Sequence, residues 1–511
     1  MTSTDTVVDA RIQPATTDST DQTGEPQYLP APPTDREKYW YMGAQHRWML
    51  FAQAAAFALI ASSIWRFSTS APGLLLFLIP TTLYCLTLCV SLTTSARRKR
   101  FHKRDHVERV GSWAPERYPT VDVFLPTAGE PLAILANTYS WVAKLRWPTT
   151  LTVYVLDDAD RPEVAELARR HGYRYEVRPD RGHLKKAGNL RYGYEQSDGD
   201  LIAVFDADFV PRADYLHELV PYFDDQSLGI VQSPQFFDAR KGMHWLQRTA
   251  GATQELFYRW IQPARDRSNA AICVGTCAIY RRAALERAGG FAQIGHSEDV
   301  HTGVNLMRVG FRVRYVPILV SKGMCPDDLA SFLNQQYRWC TGSMSLLADT
   351  TFHENPHITL RQRMCFWSGF LYYISTAVNV FLSPLPGLVM LFGLPQWIMP
   401  QNSVWLLGAM LMWLVVVPIM YRSRWRIDVL RIQSLYSFAH AVAIVHVLTG
   451  TTREWVPTGS AKKVTTPLGT QIARVMRITV TTSLLVTWTG LAWATVRFGP
   501  DVLWAMWILA A

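Results

Sequence analysis

The sequence of 511 residues predicts an α/β domain inserted between membrane-spanning helices. Long apolar runs lie towards both ends of the chain, and most of them approach the roughly 20 residues that a helix needs to cross a bilayer. Between them, residues 105–360 alternate short β-rich runs with helical stretches, which is typical of parallel βαβ units. Only 18% of all residues are charged, which favours an integral membrane protein with a soluble insert.

The N-terminal part divides into a polar tail and an apolar pair of segments. Residues 1–37 are rich in Thr, Asp and Pro, and we predict that they are disordered. Residues 38–104 are predicted to form a transmembrane hairpin, with apolar runs at about Trp48–Trp65 and Pro72–Leu92. The basic block Arg97–Arg100 follows the second run, and positive flanks stay on the cytoplasmic side. The domain that follows is therefore predicted to be cytosolic, in a multi-pass protein of the plasma membrane.

The formal net charge of +10 raises the question of nucleic-acid binding. The basic residues lie beside membrane spans rather than on one recognition element, so we expect no nucleic-acid partner. Basic flanks of this kind attract anionic headgroups, and membrane lipids are the partner that the charge indicates.

Four runs in the central region are predicted strands because each is short, apolar and almost continuous. Parallel strands that are covered on both faces have this composition. The predicted strands are Val121–Leu125, Leu151–Leu156, Tyr173–Val177 and Leu201–Phe205. A polar helix is predicted from about Pro162 to His171, after the second strand.

Apolar character returns in residues 361–511, which are predicted to contain transmembrane and interfacial helices. The predicted spans are Phe366–Phe392, Val404–Tyr421 and Thr479–Val496. Segment Arg422–Trp455 is mixed in polarity and rich in Arg, so we interpret it as an amphipathic segment at the cytoplasmic interface. The last stretch, Asp501–Ala511, is apolar but too short to cross the bilayer alone.

Acidic residues follow two of the predicted strands. Asp157 and Asp158 end one strand, and Asp206 and Asp208 follow another. Ligands bind outside the carboxyl ends of such strands. Alternate residues of an extended segment point the same way, so Asp206 and Asp208 can jointly hold a divalent cation, with Mg²⁺ or Mn²⁺ favoured by oxygen ligands. Taken alone, the pattern is weak evidence for a metal site, because Asp is common in turns after strands.

The order of the motifs along the chain is more specific than any one of them. The motifs are Val121-Asp122-Val123-Phe124-Leu125-Pro126-Thr127, Glu130-Pro131, Val155-Leu156-Asp157-Asp158, Lys186-Ala187-Gly188-Asn189-Leu190, Asp206-Ala207-Asp208, Ser297-Glu298-Asp299 and Gln335-Gln336-Tyr337-Arg338-Trp339. In this order, over roughly residues 45–500, the chain resembles the processive family-2 glycosyltransferases, in particular bacterial cellulose synthase catalytic subunits. The resemblance implies a Rossmann-like cytosolic domain of GT-A type.

The resemblance also implies a role for individual residues. Those implied to bind the donor nucleotide are Thr127, Glu130, Asp157, Asp158, Lys186, Asp206, Gln335 and Arg338. Asp206 and Asp208 would hold the metal. Asp299 and Glu298 are the implied catalytic residues, with Asp299 as the general base that deprotonates the acceptor hydroxyl. The indole of Trp339 would stack on the acceptor sugar.

A gating loop is implied near residues 451–464, where Trp455, Thr458 and Lys462 would close over the nucleotide. Closure of such a loop excludes water and favours transfer to sugar over hydrolysis. The spacing of these residues is wider than in the family.

Three other motifs depart from the family pattern, at five positions in all. Ala128-Gly129 replaces Tyr-Asn before Glu-Pro, and Ala159 replaces the Gly after the Asp-Asp pair. Cys340-Thr341-Gly342 replaces Ala-Arg-Gly after Arg-Trp, next to the implied acceptor site.

The function that the resemblance implies is processive, inverting polymerisation of a β-linked, cellulose-like glucan from UDP-glucose, with passage of the growing polysaccharide across the membrane. Accessory export subunits are possible partners. Segment Ser297–Thr302 resembles cellulose synthases more than chitin or hyaluronan synthases, and this resemblance implies glucose as the donor sugar. A curdlan-type β-1,3-glucan, another hexose polymer and single transfer to a lipid acceptor stay open. Intact Asp206, Asp208 and Asp299 argue against an inert membrane scaffold.

Overall fold

The computed structural model describes most of the chain. The described residues are 28–42, 48–70, 72–95, 101–238, 243, 245–326, 328–395, 410–411, 414–415, 428–451 and 467–504. The predicted span Val404–Tyr421 lies almost entirely outside them, and so do Trp455, Thr458 and Lys462.

The centre of the described structure is a seven-stranded sheet with a separate two-stranded ribbon. The strands of the large sheet are β1 (Val121–Thr127), β2 (Leu151–Asp157), β3 (Arg174–Glu176), β4 (Leu201–Val204), β6 (Leu228–Gln232), β7 (Ala278–Arg281) and β8 (Arg312–Tyr315). The ribbon consists of β5 (Val210–Pro211) and β9 (Ser321–Lys322). All four strands predicted from the sequence are present, with ends within two residues of those expected.

The order of strands in the large sheet is β3-β2-β1-β4-β7-β6-β8. Neighbours among the first four strands run parallel, as predicted, and β6 runs parallel to β8. The sheet is nevertheless mixed, because β7 runs antiparallel to both β4 and β6. The expectation of parallel βαβ units therefore holds for one half of the sheet and fails at β7.

Helices surround the sheet and continue beyond it. Their bounds are α1 (Asp35–Lys38), α2 (Trp48–Ser68), α3 (Leu78–Ser95), α4 (Lys103–Gly111), α5 (Leu132–Val142), α6 (Pro162–Arg170), α7 (Lys185–Glu195), α8 (Tyr215–Leu219), α9 (Trp245–Leu256), α10 (Gln262–Arg267), α11 (Arg282–Ala288), α12 (Glu298–Arg308), α13 (Leu329–Leu347), α14 (Thr350–Glu354), α15 (Leu360–Leu382), α16 (Leu385–Gly393), α17 (Asp428–Thr449) and α18 (Pro467–Phe498). Short 3₁₀ segments occur at Pro72–Phe77, Val220–Asp224 and Pro500–Trp504, and a π-helical turn at Phe257–Ile261.

The described residues include four helical segments that are long and apolar enough to cross a membrane: Pro72–Thr94, Leu360–Gly393, Arg431–Thr449 and Pro467–Phe498. In α2 the apolar part, Ala54–Ser68, is shorter. Large apolar side chains point outward from these segments, for example Leu76, Leu448 and Val496, which are 72%, 80% and 89% exposed. Outward apolar surface of this kind is stable against lipid and unfavourable against water.

Helix α17 lacks the mixed polarity on which the interpretation of Arg422–Trp455 as an amphipathic interfacial segment rests, and the interfacial location itself stays a prediction. From Ile432 to Thr449 the helix has no charged residue, because the arginines of this segment lie at or before Arg431 and after the helix. Half of the apolar stretch Arg431–Thr449 is buried inside the protein, and Ile432 and Ala439 are fully buried. The mixed polarity of the segment arises because charged residues flank the apolar stretch 432–449 in the sequence.

Residues 28–42, here called the N-terminal strap, are ordered against the central domain. Buried Lys38 donates to Asp214 at 2.8 Å and to Glu218 at 2.5 Å. The main-chain carbonyl of Lys38 also accepts from Leu319, at 2.8 Å. The prediction of a disordered tail over residues 1–37 is therefore wrong from residue 28 onwards, since specific ion pairs fix polar residues that composition alone assigns to disorder.

Side chains alternate between the two faces of the sheet, and each face has its own apolar core. In β1, Val121, Val123 and Leu125 face one core, and Phe124 faces the other. The second core continues without a break into α13, α15, α17 and α18. Its buried residues there include Tyr337, Phe366, Ala439 and Ile472. One face of the seven-stranded sheet is thus packed directly onto the apolar helices.

Candidate active site

Acidic side chains meet at the edge of the sheet where β1, β2 and β4 end. Thr127 at the end of β1 is paired in register with Asp157 at the end of β2. The amide of Asp158 donates to the carbonyl of Thr127 at 2.9 Å, and Asp206 follows β4 on the other side of β1. The acids predicted from separate motifs therefore lie along one edge, as expected for parallel strands.

Lys186 joins the aspartates after β4 to the start of α12. Its ammonium group is hydrogen-bonded to the carboxylate of Asp206 and donates to the carbonyl of Gly275 at 3.1 Å. It also lies 3.6 Å from a carboxylate oxygen of Glu298. Burial opposes the charge, but these carboxylates hold the pKa of Lys186 above its usual range. Lys186 is thus a fixed cation at the centre of an acidic cluster.

Asp299 lies in the first turn of α12, two residues after Ser297, which has a left-handed backbone conformation (φ 51°). One carboxylate oxygen accepts from the amide of Val300 at 2.8 Å. The other faces Gly275 so closely that a Cβ built there would lie 2.9 Å from it, and Gly275 has φ +76°. Burial and the neighbouring carboxylate of Glu298 raise the pKa of Asp299 to about 7. A carboxyl group with this pKa suits proton transfer near neutral pH.

Asp208 is a second half-buried acid of the cluster. Burial and the adjacent carboxylate of Asp206 raise the pKa of Asp208 to about 7, and Glu130 contributes in the same direction. Two carboxylates that repel each other in this way fit a shared divalent cation, which removes the repulsion. Among the residues that the structure describes, no three Cys, His, Asp or Glu side chains are grouped as metal ligands.

Helix α13 places Arg338 of the Gln335, Arg338 and Trp339 motif within electrostatic range of the same cluster. Burial lowers the pKa of Arg338, and the carboxylates of Glu298, Asp206 and Asp299 oppose that effect. All three motif residues are half-buried and lie within one helical turn of each other.

Two contacts fix α13 against the start of α12. The hydroxyl of Ser297 donates to the carbonyl of Arg338 at 3.3 Å. Gly342 lies directly against the side chain of Ser297, where no Cβ fits. Gly342 is the one position of Cys340-Thr341-Gly342 that keeps the family residue.

The loop after β1 is closed by Glu130. Its carboxylate accepts from the hydroxyl of Thr127 at 2.6 Å and from the amide of Ala128 at 2.7 Å. Asp157 is fully buried, and its carboxylate accepts from the amides of Ala159 and Arg161 at 3.0 and 2.8 Å. Thr127, Glu130 and Asp157 thus shape the loops at the site edge, and their contact with a nucleotide stays a prediction.

Arg178 is the residue at this site that the sequence analysis missed. Its side chain is fully buried and forms a two-pronged ion pair with Asp158, with distances of 2.6 and 3.0 Å. Asp158 also lines an open cleft of about 680 Å³, together with residues 179–183. Arg178 belongs to no motif quoted above, and only its position directly after a strand could have drawn attention to it.

The comparisons with known proteins agree with the geometry. Residues 201–421 match the family model described as "Glycosyl transferase family group 2". The chain is 33% identical over 284 residues to the cellulose synthase catalytic subunit (UDP-forming) of Pseudomonas fluorescens, covering 55% of this chain and 38% of that protein. It is also 33% identical over 261 residues to the cellulose synthase 1 catalytic subunit of Komagataeibacter xylinus, covering 50% and 35%. The matched region thus spans well under half the length of these relatives.

A solved structure supports the fold. The mannosyltransferase of Pyrobaculum calidifontis, solved with GDP-Man and Mn²⁺, superposes with a TM-score of 0.51 at 16% identity, covering 73% of this chain and 99% of that one. The chain therefore has the predicted GT-A-type α/β fold with apolar helices attached, and over about half of its length it resembles the bacterial cellulose synthase catalytic subunits.

Proposed function

We propose that the protein is a processive, inverting hexosyltransferase that extends a β-linked glucan from UDP-glucose at the cytoplasmic face of the plasma membrane. The observation that carries this proposal is the cluster in which Lys186 and Arg338 bring Asp206 and Asp208 together with Asp299. Inverting transfer needs one carboxylate at the acceptor and a separate cationic site at the leaving group. We propose Asp299 for the first role, and Lys186 and Arg338 with the metal pair for the second.

The proposed reaction is a single displacement. Asp299 takes the proton of the acceptor hydroxyl as the hydroxyl oxygen bonds to the anomeric carbon of the donor sugar. The bond from that carbon to the diphosphate breaks at the same time, and UDP leaves. Lys186 and Arg338 stabilise the charge that develops on the diphosphate, because their positions are fixed before the reaction.

A divalent cation, Mg²⁺ or Mn²⁺, would be held by Asp206 and Asp208. When bound, it neutralises charge on the donor diphosphate. The two residues fit such a cation, since both side chains offer carboxylate oxygens, and at Asp208 burial and the repulsion by Asp206 outweigh the attraction of Lys186.

Two features support processive synthesis and export over single transfer. Helix α13, which carries Trp339, shares an apolar core with α15, α17 and α18. The acceptor end of the site therefore lies next to the helices that we propose cross the membrane. Trp339 offers an indole face for the acceptor sugar, on the same helix.

The proposal is tested with purified protein reconstituted in vesicles. With UDP-glucose and Mg²⁺ we expect a high-mass product that linkage-specific glycanases degrade, and at least about tenfold less product with UDP-N-acetylglucosamine or GDP-mannose. Vesicles with the Asp299→Asn variant are the control for contaminating synthases. Transfer of one sugar to lipid, with no polymer, would contradict the proposal.

The pH dependence of transfer should reflect the titration of the Asp299 carboxyl group. A base works when it is deprotonated, and the pKa of Asp299 is raised to about 7. We therefore expect kcat/KM to rise about tenfold per pH unit below pH 7 and to level off above it. Because Asp208 has a pKa of about 7 as well, the profile is measured at two saturating Mg²⁺ concentrations. If the pH at which kcat/KM levels off changes with the Mg²⁺ concentration, the titrating group is Asp208 instead.

A further inference from the structure

The turn that presents Lys186 has an unusual backbone. Leu184 and Lys185 both adopt left-handed conformations, with φ of 54° and 51°. Neither is Gly, and a residue with a large side chain in this region persists only where its surroundings impose it. Lys186 follows directly, so the direction of its side chain depends on this turn.

The guanidinium of Arg178 stabilises this turn through hydrogen bonds to its main chain. Its Nη1 donates to the carbonyl of His183 at 2.5 Å, and its Nη2 donates to the carbonyl of Lys185 at 3.3 Å. Gly188, in the first turn of α7, lies against the same guanidinium, with no space for a Cβ. These contacts fix the main chain on both sides of Leu184.

The same guanidinium holds Asp158 at the end of β2, through the two-pronged pair at 2.6 and 3.0 Å. Asp158 in turn accepts from the amide of Gly182 at 3.1 Å. One buried cation therefore connects a predicted nucleotide-binding carboxylate with the turn that carries a predicted diphosphate-binding lysine. A lysine at position 178 supplies one point charge and cannot reproduce this planar fork.

We infer that Arg178 is a positioning residue for the donor nucleotide, which sets Asp158 and Lys186 relative to each other without touching the donor. The inference rests on the proposed function in that it takes the donor to be a nucleoside diphosphate sugar. A purely structural role would lower stability alone, whereas a positioning role changes donor affinity in protein that remains folded.

The test compares Arg178→Lys and Arg178→Ala with the intact full-length protein in detergent micelles. We expect Arg178→Lys to weaken UDP binding about tenfold, measured by calorimetry with Mg²⁺, and to raise KM for UDP-glucose more than it lowers kcat. Adding guanidinium ion to Arg178→Ala should restore part of the UDP affinity. If Arg178→Ala does not fold, the UDP affinity of Arg178→Lys alone tests the inference.

The matched control is Arg314→Lys, which alters another arginine–aspartate pair of the same domain (Arg314 to Asp266, 3.0 Å). It should lower the melting temperature without changing UDP affinity.

In an Asp158→Ala background, the effect of Arg178→Lys on UDP affinity should shrink, because the two residues act together. Unchanged UDP affinity in folded Arg178→Lys would overturn the inference. Wild-type protein that binds UDP but makes no polymer would instead count against the proposed function, because the UDP measurements need no turnover.

Discussion

Replacing Asp299 with Asn should reduce sugar transfer about 10²–10⁴-fold while UDP binding stays within about twofold of the wild type. The amide has nearly the same shape as the carboxylate but cannot accept the proton of the acceptor hydroxyl. Asp299 is held by the amide of Val300 and by the close approach of Gly275, so the substitution leaves the backbone in place. Single-turnover transfer and UDP calorimetry on the same preparation measure the two quantities separately.

Two further variants make this test specific. Glu286→Gln removes an exposed carboxylate from α11, outside the cluster, and should leave transfer unchanged. Glu298→Gln removes the carboxylate that lies 3.6 Å from Lys186, and we expect it to act mainly on donor affinity. An Asp299→Asn variant that turns over normally, or that loses UDP binding to the same extent as transfer, would show that Asp299 is not the base.

The parts of the fold that follow from local pattern were predictable. Buried parallel strands are apolar on both faces, and this made β1, β2 and β4 visible as short continuous runs. The acids at their ends interrupt those runs, so Asp157 and Asp206 stood out. Their meeting at one edge followed from the geometry of parallel strands. The direction of β7 did not, because an apolar run has the same composition in either direction.

Contacts between residues far apart in sequence account for what was missed. Lys38 pairs with Asp214 and Glu218, which lie about 180 residues away, and no local pattern identifies such partners. Arg178 is likewise ordinary in sequence, since its function depends on the turn that it stabilises. The apolar character of α17 was missed because charged residues on either side of the stretch 432–449 were averaged with it.

The packing of the helices onto the sheet also matters for function. The core that contains Phe124 of β1 is continuous with residues of α15 and α18. Displacing these helices therefore disturbs the same core that supports the site. A soluble fragment of the central domain alone would expose this face to water, so the proposed activity is best measured on the full chain.

Removing the divalent cation is expected to have an effect as large as the loss of the base. Asp206 and Asp208 repel each other, and the repulsion, together with burial, raises the pKa of Asp208 to about 7. A cation must displace the proton from Asp208, so its affinity should rise with pH up to about pH 7. We expect chelation to reduce transfer at least about 10²-fold, with recovery on addition of Mg²⁺ or Mn²⁺.

The variant Asp208→Asn links this requirement to the site. It removes one of the two carboxylates, so the Mg²⁺ concentration for half-maximal transfer should rise at least about tenfold, and its dependence on pH near 7 should disappear. The matched control is Asp200→Asn at the opposite end of β4, where the carboxylate accepts from the amide of Thr120 at 2.9 Å. That variant should keep the wild-type Mg²⁺ requirement. If Asp208→Asn responds to Mg²⁺ as the wild type does, the cation is held elsewhere, and the two aspartates have only an electrostatic role towards Lys186.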